Sequence, residues 1–367
     1  MRLFPALAAA TLAAAAAAPA GGEPWQHAGG RLAVPAAGLS FPDKAGTVAL
    51  TQTSEASLGG QGVDDVAQYR SADEQVYATL FVYLTAYADA ALAAYELDKV
   101  IRQHRGPDAR LESSRVLPAG GTAAGAIRVV YVNTEGGKSA TTGAVLRAGH
   151  WIVTVRVSGP SARQAEVEAA LDALISGLRV SGAAVDPVAP LQVSDCPATA
   201  KKAAKRSELR LEGAGLGSDP MTRMLIDSAL SAGLGEGKDP KAPPFPASIA
   251  DNGRHPVCIR ERVTVGDNVI DLMQAAGDTA NPTAVIGVIN DAGKTVEMRR
   301  IGNGGPYSVH LHNVARTANF GSYDRLLTAG QVADLLQGSP KMGAMRSQIV
   351  YKADGTSATE VYVAVGK

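Results

Sequence analysis

Aromatic side chains are scarce, with 10 Tyr, 5 Phe and 2 Trp making up only 5% of the chain. So few rings advertise no stacking surface for bases or sugars. Charge of one sign is not in excess either, since 35 Lys+Arg face 35 Asp+Glu. A neutral chain has no overall field to draw it to nucleic acid or to an anionic membrane, and no nucleic-acid partner is expected. Beyond residue 20 no apolar run reaches the ~18 residues that a bilayer-spanning helix needs, so the chain reads as not membrane-spanning. No HExxH motif supplies a zinc-protease site, and no G-x-S-x-G turn presents a nucleophilic serine. Cysteine is almost absent, with two in 367 residues and no CxxC spacing.

What is present begins at the N-terminus. Met1–Ala20 reads as a secretory signal peptide. Arg2 is a thin positive start, Leu3–Ala17 is almost wholly apolar, and Ala18-Pro19-Ala20 supplies small residues for cleavage before Gly21. An Ala-rich leader on a cytosolic protein is the competing reading. Export to the periplasm or the outside gives the two cysteines a meaning. In an oxidising compartment Cys196 and Cys258 are expected to form a disulfide, with a reactive thiol as the alternative.

The clearest structural signal is His150–Val180. Trp151, Val153, Val155 and Val157 share one face of a strand, and Ile152, Thr154 and Arg156 share the other. Gly159-Pro160 breaks it, and Ser161 with Gln164 has the spacing of a capping box. Val167, Leu171, Leu174, Ile175 and Leu178 then recur at helical spacing. Upstream, EQVYATLFVYLTAY is apolar on both faces and predicts a central strand, and Asp89 caps a helix running to about His104. His104 there suits the helix dipole better than catalysis. Strands are expected at Arg110–Leu117, Ala126–Asn133 and Ser139–Arg147, the last two joined by a hairpin. Gly137-Lys138-Ser139 imitates the end of a phosphate-binding loop, but Val132 stands where the first glycine belongs and the context is strand–loop–strand.

Several strands, a helix, a strand meander and a closing helix favour an antiparallel sheet with packed helices, an α+β domain. With its apolar strand HWIVTVRV and its helix QAEVEAALDALISGLRV, this order resembles the PsbP-like fold group, seen in extrinsic photosystem proteins and in bacterial secreted proteins. The resemblance rests on element order, and it implies a binding or assembly module without shared catalytic residues.

Ser181–Asp195 is rich in Ala, Val and Pro and reads as a linker. A helix is expected after Cys196-Pro197, with Lys201, Lys202, Lys205 and Arg206 on a solvated face or facing an acidic partner or lipid headgroups. Asp219-Pro220 starts another. In VCIRERVTV the residues Val257, Ile259, Val263 and Val265 fall in one file with Glu261, which sits at a sheet margin or is a buried carboxylate. Thr283–Ile289 predicts a central strand and Thr295–Ile301 its hairpin partner. Thr328 and Gln331 form a capping box for a last helix, before a C-terminal hairpin.

The most suggestive stretch for chemistry is YSVHLHNV. His310 and His312 share one face of a strand, where an H-x-H pair can supply two ligands to Zn²⁺. The other reading is two surface or interface histidines. A third ligand is unmarked, with His255, Glu261, Asp324 and the other carboxylates as candidates.

The resulting plan is a signal peptide over 1–20, a PsbP-like α+β domain over 30–181, a linker over 182–195 and a second α+β domain over 196–367. The expected function is a non-catalytic envelope module that binds a small ligand or an envelope protein, without a cofactor. The alternative is a zinc-dependent enzyme built around His310 and His312.

Overall fold

The computed structural model describes residues 25–57, 61–198, 202–207, 248–266, 268–278, 281–289, 293–302 and 304–362. The signal-peptide segment and the Asp219-Pro220 helix lie outside them. The described chain is sheet-rich α+β, with large antiparallel sheets and few helices. None of its helices is long and apolar enough to cross a membrane.

The first large sheet runs Lys44–Ala45, Val48–Glu55, Asp64–Ser71, Tyr77–Leu84, Trp151–Pro160, Ser139–Ala148, Thr122–Thr134, Arg110–Ala119. Tyr77–Leu84 is central, paired with Asp64–Ser71 and Trp151–Pro160. Helix α1 (Ala90–His104) covers one face, where Ala94, Leu97 and Ile101 pack with Ile127, Val145 and Ile152. Helix α2 (Gln164–Ser176) covers the other, where Leu171, Leu174 and Ile175 pack with Trp151, Val153, Val155 and Val157. The alternation of one strand thus feeds two cores. The small sheet Gln26–Ala28, Arg31–Val34, Leu39–Pro42, Arg179–Val180 adds Leu32 and Phe41 to the α2 side.

Asp89 caps α1 as predicted, its Oδ1 accepting from the Ala91 and Leu92 N–H groups. The Ser161 cap does not form. Pro160 is still paired with Ser139, so Ser161–Arg163 turns the chain as a short 3-10 helix, and α2 starts at Gln164 with no side-chain cap. The Gly136-Gly137 pair has φ of 67° and 85° in a strand-to-strand turn, which is hairpin geometry and not a phosphate loop.

The second sheet runs Val193–Asp195, Val257–Val265, Asn268–Ala275, Ala284–Val288, Thr295–Arg300, Tyr307–Asn313, Arg316–Tyr323, Ser347–Tyr351, Ser357–Val361. Helix α3 (Ala329–Leu336) packs on one face, its N-terminus closed by the Thr328–Gln331 capping box. The Val257–Val265 strand does not keep its apolar residues on one face. A bulge between Ile259 and Glu261 shifts the register. Val257 and Ile259 therefore join Tyr87, Leu92 and Met273 in one cluster, while Val263 and Val265 join Ile270, Leu272 and Leu335 on the α3 side. One face of this sheet thus meets α1, and the opposite face meets α3.

The segment over 182–195 runs between the sheets in contact with both. Val185 bridges Ala148, Val188 is buried in the α1 core, and Val193–Asp195 pairs in parallel with Val257–Ile259. Residues 202–207 form no helix. The Ala204 and Lys205 N–H groups donate to Gln331 and Asp324, and Arg206–Ser207 pairs with Tyr323 and Ser322, so tertiary partners take the backbone groups that a helix would use.

Cys196 and Cys258 are joined in a disulfide at a sequence separation of 62. It fastens the chain just after the parallel strand to the strand beside it. Reduction is expected to lower stability by about 2–4 kcal/mol, mainly by freeing the unfolded chain. The urea midpoint with and without dithiothreitol measures this. Ready alkylation of either thiol in the unreduced native protein would refute the bond.

Candidate functional site

Strand pairing sets the surroundings of His310 and His312. Tyr307–Asn313 lies between Thr295–Arg300 and Arg316–Tyr323, and His310 stands directly across from Glu297. Both histidines are buried, at 4% and 1% exposure, so they are not surface residues. Their rings stack with centroids 6.1 Å apart, and Tyr87, arriving from just before α1, tilts against His312 at 5.4 Å. Their face of the sheet is the one turned toward the first sheet.

His312 is engaged on both ring nitrogens. Nε2 lies 3.1 Å from Glu297 Oε2, and Nδ1 lies 3.0 Å from Thr317 Oγ1. Thr317 continues to the Tyr351 hydroxyl at 3.4 Å, and Glu297 also accepts from the Arg299 guanidinium. Burial pushes the Glu297 carboxyl up. The hydrogen bond with His312 and the charges of Arg299 and the two histidines outweigh this and hold it at about 2. Glu297 is therefore an ionised carboxylate inside the protein, compensated on every side.

Hydroxyl, imidazole and carboxylate in a row have the composition of a hydrolase triad. The geometry does not serve that chemistry. All three groups are buried, none lines a described cavity, and the imidazole turns Nδ1 to the hydroxyl and Nε2 to the acid, the reverse of the usual arrangement. The network is a satisfied polar core.

The residues named as third-ligand candidates are elsewhere. Glu261 lies four strands across the sheet, roughly 19 Å at ~4.8 Å per strand. The His255 side chain is 64% exposed and lies beside Asp251. Asp324 pairs with Arg325 at 2.9 Å. Among the described residues no group of three or more His, Cys, Asp or Glu is arranged to hold a metal ion. Glu297, one of the other carboxylates that the sequence leaves undistinguished, is the acid that faces the histidines. The signal was available: a hairpin through Gly302–Pro306 pairs Thr295–Arg300 with Tyr307–Asn313, and counting that register brings Glu297 to His310.

Replacing Glu297 by Gln is expected to cost about 2–3 kcal/mol at pH 7, because Arg299 and His312 lose their anion while the shape is kept. The carboxyl is held below its ordinary value of 4.5, so its contribution is present above that pH and is lost as pH falls through about 2. The gap between variant and wild type should close below about pH 4.5 in urea titrations. A gap that stays constant down to pH 3 would show that Glu297 is not a paired anion.

The opposite face carries the cavity. Alternation along Thr295–Arg300 sends Glu297 and Arg299 toward the histidines and sends Val296, Met298 and Arg300 toward α3. Beside α3 an opening of about 340 Å³ is lined by Arg260, Glu261, Arg300 and Tyr307 from the sheet, by the 324–328 segment that leads into α3, and by Lys202. Lys202, Arg260, Arg300 and Arg325 stand against Glu261 and Asp324, so the lining carries more positive than negative charge. Burial lowers the Arg260 guanidinium from its ordinary value, a sign that it is partly withdrawn from water. A cavity of this size is in the range of small-ligand sites.

No family model matches the chain, and no curated protein matches it. Among solved structures, a cyanobacterial PsbP (CyanoP) from Synechocystis sp. PCC 6803 is similar over 46% of this chain and 98% of its own length, at 15% identity and a TM-score of 0.31. That is a weak PsbP-like resemblance and nothing finer.

Proposed function

We propose that the protein is an exported, non-catalytic binding module of the cell envelope, with α+β domains over 30–181 and 196–367, and that it holds a small ligand in the cavity beside α3. The cavity carries this reading: about 340 Å³, with guanidinium, phenol and carboxylate groups converging on an apolar floor of Leu272, Val285 and Leu327. Export rests on the character of Met1–Ala20 and accords with the Cys196–Cys258 disulfide.

Native mass spectrometry of untagged protein from a periplasmic extract tests both parts. The expected result is a chain starting near Gly21 that carries a small molecule released on denaturation. A cytosolic chain starting at Met1 would end the export reading. A chain with no ligand and a stoichiometric protein partner would move the function to partner binding.

The second reading, a zinc enzyme, is favoured by two stacked imidazoles facing an ionised carboxylate. It requires His312 to exchange its Glu297 or Thr317 contact for the metal. About one zinc per chain in elemental analysis, lost in His310→Ala/His312→Ala, would establish the metal site and leave an enzyme and a metal carrier to be told apart by activity.

A further inference from the structure

We propose that the ligand of the cavity beside α3 is a small oxyanion, a molecule bearing a carboxylate or a phosphate group, anchored by the guanidinium of Arg300. This rests on the reading of that cavity as the ligand site. Arg300 is held in place by neutral groups alone. Its Nε and Nη2 donate to the Tyr307 hydroxyl at 3.1 and 2.7 Å, and Nη2 also donates to the carbonyls of Pro282, at 3.0 Å, and Asn281. The Tyr307 hydroxyl in turn donates to the Pro282 carbonyl at 2.9 Å, and the guanidinium lies 5.3 Å over the Tyr307 ring. Five contacts therefore orient the fork without neutralising it. Among the described residues no carboxylate pairs with Arg300, and its Nη1 has no hydrogen-bond partner, although the residue lines the cavity.

Glu261 acts on the neighbouring Arg260, and Asp324 at the rim is already engaged. Asp324 accepts from Arg325 and from the Lys205 N–H group, and these bonds hold its carboxyl below the ordinary range. Lys202 reaches the same opening, is exposed, and makes no ion pair among the described residues. A guanidinium fixed in advance loses little freedom on meeting a planar or tetrahedral oxyanion, and the two N–H bonds of Nη1 remain to donate to it as charge-assisted hydrogen bonds. A neutral ligand would leave the Arg300 charge uncompensated in a half-closed site.

The test is calorimetric titration of the full-length mature protein, in chloride-free buffer, with inorganic phosphate, glycerol 3-phosphate, succinate and, as the neutral control, glycerol. At least one of the three anions is expected to bind with Kd near or below ~1 mM, and glycerol is not. Phosphate and glycerol 3-phosphate without succinate point to a phosphoryl ligand, and succinate alone points to a carboxylate. Arg300→Gln is expected to weaken the bound anion about tenfold or more, and Arg300→Lys by less, since it keeps the charge and loses the fixed placement by Tyr307 and Pro282. Lys202→Ala, which removes no hydrogen bond or ion pair among the described residues, is expected to weaken it about threefold and decides the matter if Arg300→Gln does not fold. Binding unchanged in Lys202→Ala and in a folded Arg300→Gln overturns the anchor. No anion binding below ~10 mM overturns the inference. In that case a neutral molecule carried from the cell in native mass spectrometry would leave the ligand-site reading standing, and an empty chain would end both.

Discussion

Replacing Asp65 by Asn is expected to stabilise the protein by on the order of 4 kcal/mol at pH 8 and to change it little at pH 4. Asp65 lies on the inward face of Asp64–Ser71, in file with Ala67 and Tyr69, and is fully buried. Neither carboxylate oxygen has a hydrogen-bond partner among the described residues. Burial, then Glu55 across the ladder, then Asp64 beside it, raise its carboxyl from 3.8 to about 7. A raised acid binds its proton more tightly folded than unfolded. The folded state is therefore favoured below pH 3.8, and that advantage is lost as pH rises through about 7. At about 1.4 kcal/mol per pH unit, the ionised form at pH 8 carries a penalty of roughly 4 kcal/mol that Asn does not. Urea unfolding of both proteins from pH 4 to pH 8 separates this effect from other carboxyls, since only the difference counts. A variant that follows the wild-type pH profile, or that is less stable at pH 8, would show that Asp65 is hydrated or paired.

Asp271→Ala is expected to cost about 3–5 kcal/mol, the effect of breaking a buried ion pair and leaving its partner charged. Asp271 is fully buried in the Asn268–Ala275 strand, and it gathers the first and second sheets around one carboxylate. Lys99 Nζ, from α1, stands 3.0 Å from its Oδ2, and the Tyr95 hydroxyl donates to the same oxygen at 3.0 Å. Arg262, from the neighbouring strand, donates to Oδ1. Burial alone would raise this carboxyl, but Arg262 and Lys99 outweigh it and hold it below the ordinary range. Lys99 also donates to the Val269 and Val288 carbonyls, so its ammonium is locked in the interface with or without the acid. A second clamp works beside it, where Asp89 Oδ2 accepts from the Ser248 hydroxyl and the Asn252 N–H, and Asn252 Oδ1 accepts from the Ala90 N–H. The Lys99→Met/Asp271→Leu pair should recover most of the loss, because the buried ammonium goes with the carboxylate and the exposed Arg262 can turn to water. A single-variant cost under about 1 kcal/mol would place the pair among solvated surface bridges and remove it as the fastening between the sheets.

Much of the architecture was legible from local pattern. The two-faced alternation of Trp151–Pro160, the Asp89 cap, the Thr328–Gln331 capping box and the C-terminal hairpin depend on neighbours within a few residues, and the chain itself specifies those. The Cys196–Cys258 bond was legible because only one pairing exists. What the tertiary structure decided are features that depend on register between distant segments. The bulge after Ile259 divides one apolar file between two cores, because a single extra residue reverses every side chain beyond it. Residues 202–207 give up a helix because Asp324 and Gln331 claim their N–H groups from more than a hundred residues away. His310 and His312 become a buried network because pairing sets Glu297 across from them, and Arg300 faces a cavity because it is one position out of phase with Arg299. Side-chain period is written in the sequence, whereas the partner that each face meets is set only when non-local strands close the sheet.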